Sequence, residues 1–173
     1  MISPKILLAL IALLALGGLT LLAFQYWIVG GLIVAISAAL YYLWWRMNQL
    51  LNVSNALMKS DLEGARKHLA AIKNPEKLNP YSKTYFYFFE GMVNIQSNAF
   101  KESRQSFKSA LEANHFRGVD ERATTLVMLA QLDLRNRNTE GAKRYLREAK
   151  ALEPTQQIRE QISTIVKQAR LRL

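Results

Sequence analysis

The residues that could do chemistry in this chain are few, and they are not arranged for catalysis. Its 173 residues include two histidines, His68 and His115, and no cysteine. Thiolate metal ligands and disulfides are therefore excluded, and neither histidine has a second one at metal-ligand spacing. The sequence has no nucleophile elbow, phosphate-binding loop or pair of acids in a cleft context. We predict no enzyme activity and no catalytic, cofactor-binding or metal site, so the remaining chemistry is recognition through apolar and basic side chains.

The stretch 84–115 is the element around which the rest of the chain is organised. It consists of two apolar helical patterns joined by a short polar turn. Gly91 lies midway along the first pattern, and Ser103, Phe107 and Ala110 share one face of the second. Small residues on facing helices let the two backbones approach, and Phe107 fills the remaining gap. The pattern therefore predicts a tightly packed helical hairpin.

The same pattern recurs along the chain. A shift of 39 positions carries the four residues onto Ala130, Ala142, Leu146 and Ala149, and a backward shift of 38 carries the last three onto Ala65, Leu69 and Ile72. These spacings resemble the tetratricopeptide repeat (TPR), which places an aromatic, a glycine, a small residue, a phenylalanine and an alanine in this order. The resemblance implies three repeats, at about 46–79, 84–115 and 123–154. The helical stripe of 155–173 then serves as the capping helix that a repeat array needs.

A long uncharged stretch precedes the repeats. No residue from 6 to 45 carries a charge, and this is about twice the roughly 20 residues that cross a bilayer as a helix. A break at 24–27 divides the stretch, and the glycine pairs at 17–18 and 30–31 lie at similar distances from that break. Small residues at matched depth let two helices pack closely. The pattern predicts two transmembrane helices joined by a very short loop.

Basic residues predict how this hairpin is oriented. Lys5 lies before the first span and Arg46 follows the second, which places both termini at the cytoplasmic face. Two spans followed by TPR helices resemble the architecture of bacterial inner-membrane proteins such as the HemY type. We therefore predict an all-α protein, with a two-span transmembrane hairpin at 1–46 and a short TPR-type α-solenoid with a C-terminal capping helix at 47–173. Its expected location is integral to a bacterial inner membrane, with the TPR domain cytoplasmic.

The resemblance also implies a concave binding face, formed by the first helix of each repeat. In this register the face is mostly apolar and contains Met47, Leu50, Leu57, Tyr85, Phe88, Met92, Ile95, Val127, Gln131 and Leu134. The basic and asparagine side chains with which chaperone-binding TPR proteins clamp a C-terminal carboxylate are absent from this row. An apolar groove suits an amphipathic helix of a partner protein. The alternative is that the C-terminal helix 155–173, or self-association, fills the groove.

Basic residues form a second candidate surface. The net charge is +10, and the second helices of the three repeats carry Arg66, Lys67, Arg104, Lys108, Lys143, Arg144 and Arg147. Such a stripe attracts anionic lipid or an acidic partner. Acidic residues are interspersed among the basic ones, so a solvated helix face is the alternative. No nucleic-acid motif accompanies the charge.

Two functions are consistent with these features. The first is a membrane-anchored TPR scaffold or adaptor that binds a partner protein at the cytoplasmic membrane face. The alternative is an accessory subunit of a larger membrane complex for transport, motor or assembly functions, held mainly through its transmembrane hairpin. In both cases the expected partners are proteins and membrane lipids, and neither nucleic acid nor a small-molecule substrate is expected.

Overall fold

Helices form all the regular structure in the part of the chain that the structure describes. This computed structural model describes residues 4–23 and 27–171. The helices are α1 (Pro4–Ala23), α2 (Trp27–Met58), α3 (Leu62–Ala70), α4 (Pro80–Gln96), α5 (Phe100–Ala113), α6 (Val119–Arg135), α7 (Thr139–Ala151) and α8 (Gln156–Gln168), with a 3₁₀ turn at Pro75–Lys77. The predicted all-α fold is confirmed for these residues. The break predicted at 24–27 falls mostly outside them.

The chain divides into two compact units, Met1–Leu51 and Asn52–Leu173. The boundary lies inside α2, close to the boundary predicted after residue 46. The helix continues through it because no glycine or proline lies between Gly31 and Met58. The two units are described separately below.

In the unit Met1–Leu51, α1 and α2 approach each other closely at Gly18. A Cβ at this position would lie 3.0 Å from Ile33 Cγ2 and 3.1 Å from Val34 Cγ2, so a glycine permits the contact. Gly17 and Gly31, in contrast, have nothing within 4 Å of a Cβ placed there. The predicted close packing of the two helices is thus confirmed at one member of the first glycine pair.

The large apolar side chains of α1 and α2 are widely exposed, with Leu13 at 68% and Ile28 at 84%. Among the residues that the structure describes, however, no helix is both long enough and apolar enough to cross a membrane. This finding corrects the prediction of a transmembrane hairpin at 1–46, and with it the placement in a bacterial inner membrane with a cytoplasmic TPR domain.

In the unit Asn52–Leu173, consecutive helices pack as hairpins. The closest pairs are α4 with α5 and α6 with α7. Each pair is joined by a three-residue connection, in which Asn98 or Arg137 takes the left-handed backbone conformation with φ of 58°. Such short connections make the paired helices antiparallel. α3 packs on α4, α5 on α6, and α8 on both α6 and α7.

The predicted hairpin contact of α4 and α5 is confirmed. Ser103 Oγ donates a hydrogen bond of 2.8 Å to the carbonyl oxygen of Gly91. Phe107 has no exposed surface, and a Cβ on Gly91 would lie only 2.7 Å from its ring. The residues at the shifted positions are buried as well, namely Ala130, Ala142, Leu146 and Ala149 in the later pair, Ala65 and Leu69 in α3, and Ile72 just after α3.

The C-terminal helix closes the core of this unit. Ile158, Ile162 and Ile165 lie on one stripe of α8 and join the buried residues of α5, α6 and α7. Burial of each such side chain contributes about 1.5–3 kcal/mol. The C-terminal stripe predicted at 155–173 thus forms the helix α8 and packs on this core.

Three helices of this unit begin at a side-chain cap that the sequence supplies. The caps are Asp61 for α3, which accepts from Gly64 N at 2.9 Å, Asn79 for α4, which accepts from Ser82 N at 2.8 Å, and Asn138 for α7, which accepts from Gly141 N at 3.1 Å. Asp and Asn at this position satisfy an amide that has no partner inside the helix. The start of α4, and with it the rotation of its aromatic residues, is fixed in this way.

Candidate functional site, an aromatic surface on α4

Aromatic side chains cluster on one face of α4. Tyr81, Tyr85 and Phe89 are spaced four residues apart and therefore lie one above another. The ring centroids of Tyr81 and Tyr85 are 4.7 Å apart, and those of Tyr85 and Phe89 are 6.1 Å apart. From the loop after α5, the ring of Phe116 lies 6.5 Å from that of Tyr85, and the guanidinium of Arg117 lies 5.9 Å from the ring centroid of Tyr81. These five residues are called the aromatic surface below.

The aromatic surface is partly open to solvent. Tyr81 is 42% exposed, whereas the rings of Tyr85, Phe89 and Phe116 are half-buried. Aromatic pairs at these separations contribute about 0.5–1.5 kcal/mol each beyond the area that they bury. The rings therefore hold one another in place and present a preformed surface.

The hydroxyl of Tyr85 is engaged inside the protein. It donates to the carboxylate of Glu121 and accepts from Arg117 N at 2.9 Å. The same Glu121 oxygen accepts from Arg117 N at 3.0 Å and from Gly118 N at 3.1 Å. Burial, followed by the hydrogen bond to Glu121, raises the pKa of Tyr85 above its ordinary value. Tyr85 thus stays neutral and offers a partner its ring.

A second set of hydrogen bonds fixes the loop that carries Phe116. Thr84 Oγ1 donates to the carbonyl oxygen of Pro80 and accepts from the backbone N–H of His115, both at 3.0 Å. The loop is therefore tied to the same turn of α4 from which Tyr85 projects. Within the described residues, no group of three or more His, Asp or Glu side chains could hold a metal ion.

The predicted groove residues on α4 and α6 divide between the surface and the core. Tyr85 belongs to the aromatic surface. The side chains that instead pack, half-buried, against the core of this unit are Phe88, Met92, Ile95 and Leu134. The ring of Phe88 lies 6.2 Å from that of Phe107. Val127 is only 1% exposed and belongs to the core itself.

The groove residues predicted on α2 fall in different units. Leu50 is buried in Met1–Leu51, and Leu57 is half-buried in Asn52–Leu173. The side chain of Met47 lies outside the described part of the chain. The residues predicted on α2 are thus divided between the two units.

Gln131, the remaining member of the predicted groove, is exposed and lines a cleft between α6 and α8. The cleft has a volume of about 400 Å³ and is lined by Val127, Met128, Gln131, Gln157, Glu160, Gln161, Thr164, Ile165 and Gln168. α8 thus covers part of α6, in line with the alternative that the C-terminal helix occupies the groove, and leaves this cleft open beside it. It is called the α6–α8 cleft below.

Arg104, from the predicted basic stripe, forms an internal ion pair. Its Nε donates to Asp133 Oδ1 at 2.8 Å, and the side chain of Asp133 is only 2% exposed. The other carboxylate oxygen of Asp133 accepts from Asn138 Nδ2 at 3.0 Å. The hydrogen bond to Asp133 raises the pKa of Arg104. A Cβ at Gly141 would collide with this carboxylate. The ion pair and the hydrogen bond from Asn138 together join α5, α6 and the start of α7.

The other members of the basic stripe are used in several ways. Arg66, which precedes Arg104 by 38 positions, donates to Ser97 Oγ in the turn after α4. Arg66 thus connects α3 to the pair α4–α5, just as Arg104 connects α5 to the pair α6–α7. Lys143 instead pairs with Glu140 at 2.7 Å on its own helix. Four members of the stripe are exposed, namely Arg66, Lys67, Arg144 and Arg147, and Lys108 is half-buried.

Sequence reasoning found Tyr85 and missed the rest of the aromatic surface. The four-residue spacing of Tyr81, Tyr85 and Phe89 is visible in the sequence and would have placed the three rings on one stripe. Phe116 and Arg117 lie in a loop, where periodicity gives no signal. Their position depends on hydrogen bonds between residues more than thirty positions apart.

No protein-family model, curated protein or solved structure gives a significant match to this chain. The TPR resemblance rests on the residues quoted above.

Proposed function

We propose that this chain is a helical-repeat scaffold of the TPR type that binds a partner protein through its aromatic surface. The observation that carries the proposal is the stack of Tyr81, Tyr85 and Phe89, a partly exposed row of rings held in one arrangement. The repeat interpretation is supported by the contact of Gly91 with Phe107 and by the buried residues at equivalent positions along the chain. No cofactor or reaction forms part of the proposal.

The composition of the aromatic surface suits protein binding. Tyrosine and arginine are among the residues that most often dominate the energy of protein interfaces. Tyr85 is held by Glu121 and Arg117, so little side-chain entropy is lost when a partner packs against it. Removal of such an anchor from an interface costs about 2 kcal/mol or more in binding free energy.

The charge of the chain indicates the chemistry of the partner. Arg117 lies beside the rings, and the chain as a whole carries a net charge of +10. Complementary charge speeds association and disfavours wrong partners. The proposed partner segment is therefore apolar on one side and acidic on its flank, as in an amphipathic helix. The alternative function as an accessory subunit depended on the transmembrane hairpin and is not carried forward.

Site-specific photocrosslinking in the full chain tests this proposal. A benzophenone amino acid at position 81, in cells that make the protein, should give a covalent adduct with a different protein. The matched control carries the same probe at Gln105, which is exposed on α5 and does not belong to the aromatic surface. Phe89→Ala should remove the adduct at position 81 and leave helical content unchanged. Equal adducts at both positions, no adduct, or an adduct only with a second copy of this chain would refute the proposal.

A further inference from the structure

We propose that the α6–α8 cleft binds an extended polypeptide segment, uncharged or cationic, by hydrogen bonds from glutamine side chains to the main chain of that segment. The cleft is separate from the aromatic surface. The inference rests on the proposed function only in that the chain binds proteins, and it names the class of ligand for a second surface.

One face of α8 presents a row of uncharged polar side chains to the cleft. Gln157, Gln161, Thr164 and Gln168 are spaced by four, three and four residues, so they lie along one stripe. All four are exposed. The adjacent stripe of isoleucines is buried in the core, which fixes the rotation of α8 and directs the polar stripe into the cleft. Gln131 on α6 supplies the facing wall.

Glutamine side chains match the main chain of an extended peptide. Each amide offers both donors and an acceptor, and an extended segment presents alternating N–H and C=O groups. A helical partner uses these groups within its own helix and could not pair with the stripe. From 157 to 168 the stripe runs about 16 Å along α8, at roughly 1.5 Å per residue. This length accommodates about five residues of extended chain, at roughly 3.3 Å per residue.

The remaining lining residues define the side chains of the ligand. Of the apolar residues in the lining, Val127 and Ile165 are buried, so the half-buried Met128 offers the contact for an aliphatic side chain. Glu160 is the only ionisable residue among those that line the cleft, and its carboxylate accepts from Gln156 Nε2 at 2.9 Å. A lysine or arginine of the ligand is complementary to this carboxylate, whereas an acidic residue is repelled. The cleft thus differs in charge preference from the aromatic surface, which lies beside Arg117.

A direct binding measurement with the full chain tests the inference. The probe is a fluorescein-labelled heptapeptide, Thr-Val-Thr-Lys-Thr-Val-Thr, whose β-branched residues favour an extended backbone. We expect saturable binding by fluorescence anisotropy. One control peptide carries N-methyl groups on alternate amides and lacks those main-chain donors, and another has Glu in place of Lys. Both should bind more weakly than the probe.

Variants of the protein identify the surface that is used. Gln161→Met keeps the length of the side chain and its helix propensity but removes the amide, so the affinity should fall by about 2- to 10-fold for one lost hydrogen bond. Gln105→Met is the matched control on α5 and should leave the affinity unchanged. Phe89→Ala should also leave it unchanged, which separates this inference from the proposed function.

The inference would be overturned by absence of saturable binding, by binding that N-methylation does not weaken, or by an affinity that Gln161→Met leaves unaltered. Sedimentation that shows a dimer dissociated by Gln161→Met would also overturn it, because a second copy of the chain would then occupy the cleft. In any of these cases an adduct at position 81 that Phe89→Ala removes would still support the proposed function.

Discussion

The contact between Gly91 and Phe107 provides the sharpest test of the helix-pair architecture. Gly91→Ala gains roughly 1 kcal/mol of helix propensity. The new Cβ, however, would lie 2.7 Å from Phe107 Cδ1 and Cε1 and 2.9 Å from its Cζ. Phe107 is fully buried, so its ring cannot move into solvent, and overpacking of this kind costs about 1–3 kcal/mol. We expect the second effect to exceed the first, with a net loss of about 1 kcal/mol of unfolding free energy.

A double-mutant cycle isolates this contact from the propensity of the helix. In a Phe107→Leu background the ring is absent, so Gly91→Ala should become neutral or stabilising. The coupling free energy between the two sites should then be about 1–3 kcal/mol. The assay is urea unfolding of the full chain, followed by far-ultraviolet circular dichroism. Gly118→Ala serves as a control, because no atom lies within 4 Å of a Cβ at that position. Additive effects of Gly91→Ala and Phe107→Leu would show that Gly91 and the ring of Phe107 are not in contact.

Three further outcomes follow from the same structure. Asp133→Ala should lower the unfolding free energy by about 2–3 kcal/mol in urea melts, less than a fully buried pair would lose because Arg104 is partly exposed. Phe88→Ala should lower the melting temperature more than Phe89→Ala does, because Phe88 packs against the core cluster. Burial and a hydrogen bond to a carboxylate raise the pKa of Tyr87 to about 12. The folded chain then holds this proton more tightly than the unfolded chain, so stability should be lost as the pH rises from about 10 to about 12, and Tyr87→Phe should reduce that loss in pH-dependent melts.

The buried positions of the helix pairs could be predicted from sequence because they depend on local spacing. Gly91 packs against Phe107, and the residues at the shifted positions are buried, since a small residue on one helix and a large one on the next determine how closely a hairpin packs. The helices themselves follow from a 3.6-residue periodicity that any helical hairpin shows. Capping by Asn79 and Asn138 also reflects local chemistry that a sequence displays directly.

The aromatic surface could be predicted only in part, because it combines a helix with a loop. The aromatic residues on α4 have a regular spacing. Phe116 and Arg117 are instead held beside them by the hydrogen bond from the backbone N–H of His115 to Thr84 Oγ1. Similarly, Phe88 and Phe89 are adjacent aromatics in the sequence, and nothing local distinguishes the ring that packs on Phe107 from the one that does not. That assignment depends on how far α4 is rotated against α5.

The basic stripe shows most clearly why charge in a sequence is a weak guide to function. In the sequence, nothing distinguishes Arg104 from the other cations of the stripe, because its partner Asp133 lies 29 positions further along the chain. Arg66, at the equivalent position, likewise donates to Ser97 in the next helix pair. A basic residue that recurs at the same spacing in successive helix pairs is as well suited to joining neighbouring pairs as to contacting a ligand. Besides Arg66, the exposed members of the stripe among the described residues are Lys67, Arg144 and Arg147, and the guanidinium of Arg144 lies 5.0 Å from the ring centroid of Tyr145. Exchanging Arg144 and Arg147 for glutamine should weaken capture of an acidic partner at low salt, without the loss of stability expected for Asp133→Ala.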